Sequence, residues 1–278
     1  MFTAFIVILT SFLIIAVIYV FLTMPRVTDS ANMDLLTTDY AHRGLHSDTI
    51  PENSMSAFKA ALDKTLGIEL DVQLSSDGEI FVFHDKSVTR LCGAKRNLVD
   101  MTAEEIKELR LLGTDEQIPT FKEVLKLVDG RVPLLIEIKY HGHNEKLCEA
   151  LAEMLDGYIG VFAVQSFDPR ILRYFKKHRP RFARGQLVSK FVKKSKDKSS
   201  SDEQNPVIAF ALSHLLFNFL SRPDFISIQK NHTRDLAFTL ATSAFKAKGF
   251  IWTVKKEQHY KYFKRQGHSC IFEGFLPD

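Results

Sequence analysis

Short apolar runs alternate along this chain with segments whose apolar residues recur every three or four positions. The runs near residues 38–43, 67–73, 80–84, 133–139, 160–167, 184–189, 224–229, 250–254 and 269–273 are rich in Val, Ile, Leu and Phe and read as strands. Helical spacing fills most of the intervals. Ser54 to Lys64 carries Ala57, Phe58, Ala61 and Leu62 on one face, with Asn53 placed as N-cap. Phe121 to Val128, His143 to Leu155, Pro169 to Lys177, Val207 to Leu220, Thr233 to Lys248 and Gln258 to Arg265 read the same way.

Brief strands alternating with helices predict a parallel barrel or a doubly wound sheet. Several strand runs end in His, Asp or Glu, and only a barrel brings all strand ends to one face. The expected fold is therefore an irregular TIM (β/α)8 barrel. The irregularity is expected between Leu74 and Glu79, where Ser76-Asp77-Gly78 leaves no room for a crossover helix. Nine strand candidates, against eight in a regular barrel, point the same way.

The N-terminus follows a different pattern. Phe2 to Met24 holds no charged side chain. As a helix it spans roughly 35 Å, enough to cross a bilayer. No Lys or Arg precedes it and no small-x-small site follows, so it reads as an uncleaved transmembrane helix rather than a signal peptide. The domain plan is an anchor over 1–24, a polar linker over 25–37 and the barrel over 38–278. The localisation expected is single-pass membrane. Arg26 and the unpaired cysteines lean the barrel towards the cytoplasmic face.

Net charge is only +4 among 278 residues. With no zinc-finger spacing and no arginine-rich helix, no nucleic-acid partner is implied. Cys92, Cys148 and Cys270 lie far apart and odd in number, which suits structural thiols rather than a disulfide framework. Lys190 to Gln204 is basic, then serine-rich, then acidic, and reads as a loop able to meet anionic headgroups. Val207 to Leu220 is apolar nearly all round. It reads as a core helix, with a membrane-touching element near the site mouth as the alternative.

The candidate chemistry lies at the strand ends. Glu69 and Asp71 are two apart on one strand, so both side chains point the same way. Their flanks Ile68, Leu70 and Val72 are apolar, so the strand reads as buried on both faces. Buried paired carboxylates repel unless a cation lies between them. Glu137 offers a third oxygen on a similar strand. Three carboxylates without cysteine suit Mg²⁺ or Ca²⁺ better than Zn²⁺. His42 and His84 close strong strand runs and can carry protons near neutral pH. Arg43 and Lys139 can grip a phosphate.

In order along the chain stand His42-Arg43-Gly44, Pro51-Glu52-Asn53, Glu69-Leu70-Asp71, Phe83-His84-Asp85 and Glu137-Ile138-Lys139. This series resembles the glycerophosphodiester phosphodiesterases, which share a barrel with the phosphatidylinositol-specific phospholipases C. Gln165-Ser166-Phe167 and Trp252-Thr253-Val254 extend the likeness towards the C-terminus. The resemblance implies one divalent cation on Glu69, Asp71 and Glu137, with His42 and His84 as the acid–base pair. It implies phosphate contacts from Arg43 and Lys139, and support from Glu52 and Asn53. Trp252 reads either as an apolar wall for glycerol or headgroup or as a core residue. The implied reaction is metal-dependent hydrolysis of a glycerophosphodiester to an alcohol and glycerol 3-phosphate. A glycerol hydroxyl attacks first, giving a cyclic phosphate, or water attacks directly.

Two departures from the family pattern occur late. Lys255 stands where Asn usually follows Trp-Thr-Val, and Glu273-Gly274 replaces a closing Thr-Asp. They are expected to bear on substrate choice and to leave the cation site and the histidines untouched. The alternatives are a lysophospholipase D acting on bilayer lipid, or a non-catalytic phospholipid-binding barrel.

Overall fold

The computed structural model describes residues 2–26, 33–142, 144–189 and 205–277. Eight strands close into a parallel barrel: β1 (Tyr40–Ala41), β2 (Gly67–Leu74), β4 (Leu134–Ile138), β5 (Phe162–Ser166), β6 (Ala183–Val188), β7 (Phe225–Gln229), β8 (Lys248–Val254) and β9 (Ser269–Phe272). Each pairs with the next in this order, and β9 returns to β1. The ninth strand, β3 (Ile80–Val82), lies antiparallel on β2. This is the break expected between Leu74 and Glu79. It also corrects the placing of His84, because β3 runs back down from the tip of β2. His84 therefore reaches the site from a returning hairpin arm rather than from the carboxyl end of a barrel strand.

Side-chain alternation splits the barrel into an inner and an outer face. Outward residues such as Ile68, Leu70, Ile136 and Val164 join the layer under the helices. Inward residues Tyr40, Leu135, Ala163, Phe225, Phe250 and Ile271 pack together as an apolar floor. Met33 and Leu36, from a helical turn in the stretch read as linker, belong to this floor, and Tyr40 donates its hydroxyl to Leu36 O at 2.8 Å. At the floor Gly185 faces Phe225, where a Cβ would stand 2.0 Å from the ring.

The long helices are α1 (Phe2–Thr23), α2 (Met55–Asp63), α3 (Phe121–Val128), α4 (Asn144–Asp156), α5 (Pro169–His178), α6 (Pro206–Ser213) and α8 (Glu257–Arg265), with the short α7 (Asn218–Ser221) between α6 and β7. Ser54, not Asn53, caps α2, accepting from Ala57 N at 3.1 Å. Asn53 has φ 54° and turns its side chain inward to Asp71 instead. The helix expected over 207–220 is broken: Leu215 takes φ 59° between α6 and α7. It is not a core helix either, since Val207 is 74% and Phe210 54% exposed. The helix expected over 233–248 shortens to Leu236–Thr239 and a wider turn over Leu240–Ala244. The stretch 190–204, read as a loop, lies outside the described residues.

α1 is exposed over its apolar length, and its last turn meets α7. Asn218 Nδ2 donates to Thr23 O at 2.9 Å, and Arg222 Nη1 to Phe21 O and Met24 O at 2.9 and 2.8 Å. The three cysteines are free; Cys148 and Cys270 are buried. Replacing Gly185 with Ala forces the floor apart. Urea unfolding of Gly185→Ala is expected to show a loss of about 1–3 kcal/mol, the usual cost of overpacking.

Candidate active site

Two residues up each strand from the apolar floor, the same inward face becomes polar. His42 follows Tyr40, Glu137 follows Leu135, Gln165 follows Ala163, Ser227 follows Phe225, Trp252 follows Phe250 and Glu273 follows Ile271. Register then sets the neighbours: Asp71 lies opposite Glu137, and Glu137 opposite Gln165. Oxygen atoms of Glu69, Asp71 and Glu137 all fall within 4.8 Å of one another, and all three residues are buried.

Two cations face them. Lys139 Nζ stands 2.8 Å from Asp71 Oδ1 and also pairs with Glu137. Arg43 bonds Glu52 Oε1 at 2.7 Å and lies 3.6 Å from Asp71 Oδ2, while its backbone N donates to Glu69 Oε2 at 3.0 Å. Asn53 Nδ2 donates to Asp71 Oδ2 at 2.9 Å. All ten sequence-selected residues except Trp252 therefore have a place in, or one contact from, the carboxylate and histidine cluster. Trp252 stands in the barrel interior, edge-on to Phe167 with centroids 5.7 Å apart.

The electrostatics are unbalanced. Three carboxylates against Arg43 and Lys139 leave one excess negative charge in a dry site. Burial, then the charges of Asp71 and Glu137, push Glu69 well above its ordinary value of 4.5. Burial also raises Glu137, helped by Asp71 and opposed by Lys139. Burial acts to raise Asp71 too, but Lys139, His84 and Arg43 outweigh it and hold that carboxyl far below its usual range. Burial acts to lower Lys139, and Asp71 and Glu137 reverse this, raising it to about 12. The all-oxygen set suits a hard divalent cation, which would relieve the repulsion that raises Glu69. Asn53 Oδ1 and Gln165 Oε1, both buried beside the carboxylates without a hydrogen-bond donor, fit the same reading.

Both histidines are held by Nδ1, which leaves Nε2 for chemistry. His84 Nδ1 bonds Asp85 Oδ1 at 2.7 Å, and Asp85 is itself held by Arg90 Nε at 2.6 Å. Arg90 also forks onto Glu52 at 2.7 and 3.0 Å, so one guanidinium braces the partners of both His84 and Arg43. His42 Nδ1 bonds Glu273, which pairs in turn with Lys255. The two late departures therefore do touch a histidine, which corrects the expectation drawn from sequence. That expectation failed because only closure of β9 onto β1 brings positions 42 and 273 together. Asp85, Arg90 and Glu273 were missed as partners; Asp85 adjoins His84 in a quoted motif, whereas nothing in the sequence points to Arg90. Burial lowers both imidazoles. At His42 the Glu273 hydrogen bond opposes that shift.

The cluster opens into a cavity of about 1070 Å³. His84, Asp85, Glu137 and Lys139 line one end, and side chains from α6 and α7 line the other.

A model described as the glycerophosphoryl diester phosphodiesterase family matches residues 42–275. A glycerophosphodiester phosphodiesterase of Caldanaerobacter subterraneus subsp. tengcongensis is 39% identical over 162 residues, which is 53% of this chain and 65% of that protein. Human glycerophosphodiester phosphodiesterase 1 is 32% identical over 145 residues, 48% of this chain and 43% of that protein. The matched stretch thus spans less than two thirds of these relatives. Among solved structures, an Oleispira antarctica phosphodiesterase in complex with the product sn-glycerol-3-phosphate superposes with a TM-score of 0.67 at 25% identity, covering 85% of this chain and 92% of that one. The Thermotoga maritima glycerophosphodiester phosphodiesterase gives 0.64 at 25% identity, covering 84% and 94%.

In Glu273→Gln the support for the His42 imidazolium is gone. NMR titration of the His42 ring is expected to show its pKa lowered further; an unchanged or raised value would contradict the pairing.

Proposed function

The chain belongs to the glycerophosphoryl diester phosphodiesterase family, and we propose on that premise that it hydrolyses glycerophosphodiesters to an alcohol and glycerol 3-phosphate. The observation that carries this reading is the gathering of three buried carboxylates, two cations and two Nδ1-anchored histidines at one barrel mouth. Glu69, Asp71 and Glu137 would hold one divalent cation, Mg²⁺ or Ca²⁺. When bound, it supplies Lewis-acid stabilisation of charge on the phosphoryl oxygens.

The charge count supports a diester. With the cation present the site changes from one negative charge to one positive charge, which complements the single negative charge of a phosphodiester. Arg43 and Lys139 would then turn from the carboxylates to the phosphate oxygens. Glu52 keeps Arg43 in place, and Asn53 does the same for Asp71.

His42 and His84 form the proton-transfer pair. One neutral imidazole takes the proton from the attacking hydroxyl, of the glycerol or of water. The other, protonated, hands its proton to the leaving alcohol. Lowered pKa values at both rings suit the base role near neutral pH. Glu273 and Asp85 fix the tautomer and steady whichever ring carries charge. The barrel would be held at a membrane by α1, whose 22 residues make a helix about 33 Å long.

The test is release of glycerol 3-phosphate from glycerophosphocholine and glycerophosphoethanolamine by the full-length protein, with Mg²⁺ or Ca²⁺ and then with chelator. Metal-dependent release is expected. His42→Ala and His84→Ala are each expected to lower turnover by roughly 10²-fold or more. Losses below about fivefold for both would remove the acid–base assignment. Binding of the diester without turnover would favour a non-catalytic barrel.

A further inference from the structure

Glu273 faces a second histidine besides His42. His46 Nε2 stands 3.8 Å from Glu273 Oε2, the same oxygen that His42 Nδ1 contacts. Ligand atoms of His42, His46 and Glu273 all lie within 4.8 Å of one another. His46 Nε2 is buried and has no hydrogen-bond partner. At 3.8 Å the carboxylate oxygen is beyond hydrogen-bond reach, so this nitrogen is left unsatisfied. Lys255 pairs with the other oxygen, Oε1, and leaves Oε2 to the two rings.

A tight turn after β1 and the closure of the barrel bring the three side chains together. Arg43 and Gly44 take φ 56° and 78°, and Gly44 N donates to Ala41 O at 3.2 Å. His46 N donates to Gly44 O at 3.0 Å, which folds His46 back beside His42. Strand β9 pairs with β1 and delivers Glu273 one residue past its end. The backbone N of Glu273 donates to Val254 O at 3.1 Å, which fixes that position. All three side chains are partly exposed, so an ion can reach them from solvent.

This donor set differs in kind from Glu69, Asp71 and Glu137. Two imidazole nitrogens and one carboxylate oxygen are the three-ligand set of many zinc sites, in which water takes the fourth position. Imidazole suits Zn²⁺ and its transition-metal neighbours, whereas Mg²⁺ and Ca²⁺ take oxygen ligands. A cation on His42 Nδ1 uses that nitrogen's lone pair, so the single proton of the neutral ring must sit on Nε2. His42 Nε2 can then accept no proton. Giving up the proton it holds would leave an imidazolate instead of a neutral ring.

We propose that His42, His46 and Glu273 form a second cation site, for a divalent transition metal such as Zn²⁺, whose occupation arrests proton transfer at His42. The site is separate from the three carboxylates and is inhibitory. Binding stands on the geometry alone; the arrest rests on the phosphodiesterase reading.

The test follows the histidine ring signals of the protein by NMR as Zn²⁺ is added, with Mg²⁺ held in excess for the carboxylates. The His42 and His46 rings are expected to shift together and to saturate. In His46→Ala the Zn²⁺ affinity read at His42 is expected to fall at least about tenfold, since the loss of even an outer partner of a metal ligand costs about that much. His46→Gln, which keeps a polar side chain, is expected to do the same and guards against a folding defect. Turnover of glycerophosphocholine, compared with each protein's own zinc-free rate, is expected to need at least about tenfold more Zn²⁺ for inhibition in His46→Ala than in the wild type. Zn²⁺ that leaves both rings unmoved, or that moves His42 equally well in both His46 variants, overturns the site. Zinc bound at the two rings with turnover unaffected overturns the inhibition. Zinc bound there in a protein that cleaves no diester upholds the site and removes the phosphodiesterase reading instead.

Discussion

Repulsion among three buried carboxylates is the constraint around which this barrel mouth is built. Glu69 and Asp71 come from β2 and Glu137 from β4, and parallel register puts Asp71 and Glu137 side by side. Such a cluster is costly unless cations face it. Lys139 and Arg43 answer two of the three charges, and the remainder is carried by the upward shift of Glu69. Much of the surrounding detail follows from holding those two cations where they are. Glu52 grips Arg43, Arg90 grips Glu52, and the same Arg90 fixes Asp85 behind His84.

The fold turns this local problem into a site by simple geometry. A floor of Tyr40, Leu135, Ala163, Phe225, Phe250 and Ile271 closes the barrel below. The period of two along each strand then sets polar side chains one layer up. The hairpin of β2 and β3 brings His84 back to the level of Asp71, where Phe83 N donates to Asp71 O at 2.9 Å. On the opposite side, closure of β9 on β1 gives His42 its partner Glu273. The two histidines end in matching arrangements: Nδ1 on a carboxylate, and the carboxylate on a basic side chain.

Much of this was legible in the sequence because strand runs and their polar ends are local signals. All nine strands fall where the apolar runs place them, and the short Ser76-Asp77-Gly78 link foretells the broken repeat. Glu69, Asp71 and Glu137 come together because alternation and parallel register align them, whereas Arg43 joins them from a left-handed turn just past β1. What the sequence hid was non-local. Arg90 is an unremarkable base until folding sets it between Glu52 and Asp85. Glu273 stood apart from His42 by 231 positions, so its contact could not be read from spacing. The apolar stretch after residue 206 looked like one core helix because composition does not reveal which face meets protein. A left-handed residue at Leu215 and exposure of Val207 and Phe210 decide otherwise.

The central claim is that a divalent cation completes the charge balance of Glu69, Asp71 and Glu137. Calorimetric titration of Mg²⁺ or Ca²⁺ into the protein near neutral pH addresses it directly. The account predicts saturable binding at one site, and weaker binding in Glu69→Gln. Absence of saturable binding, or binding unchanged in Glu69→Gln, would contradict it.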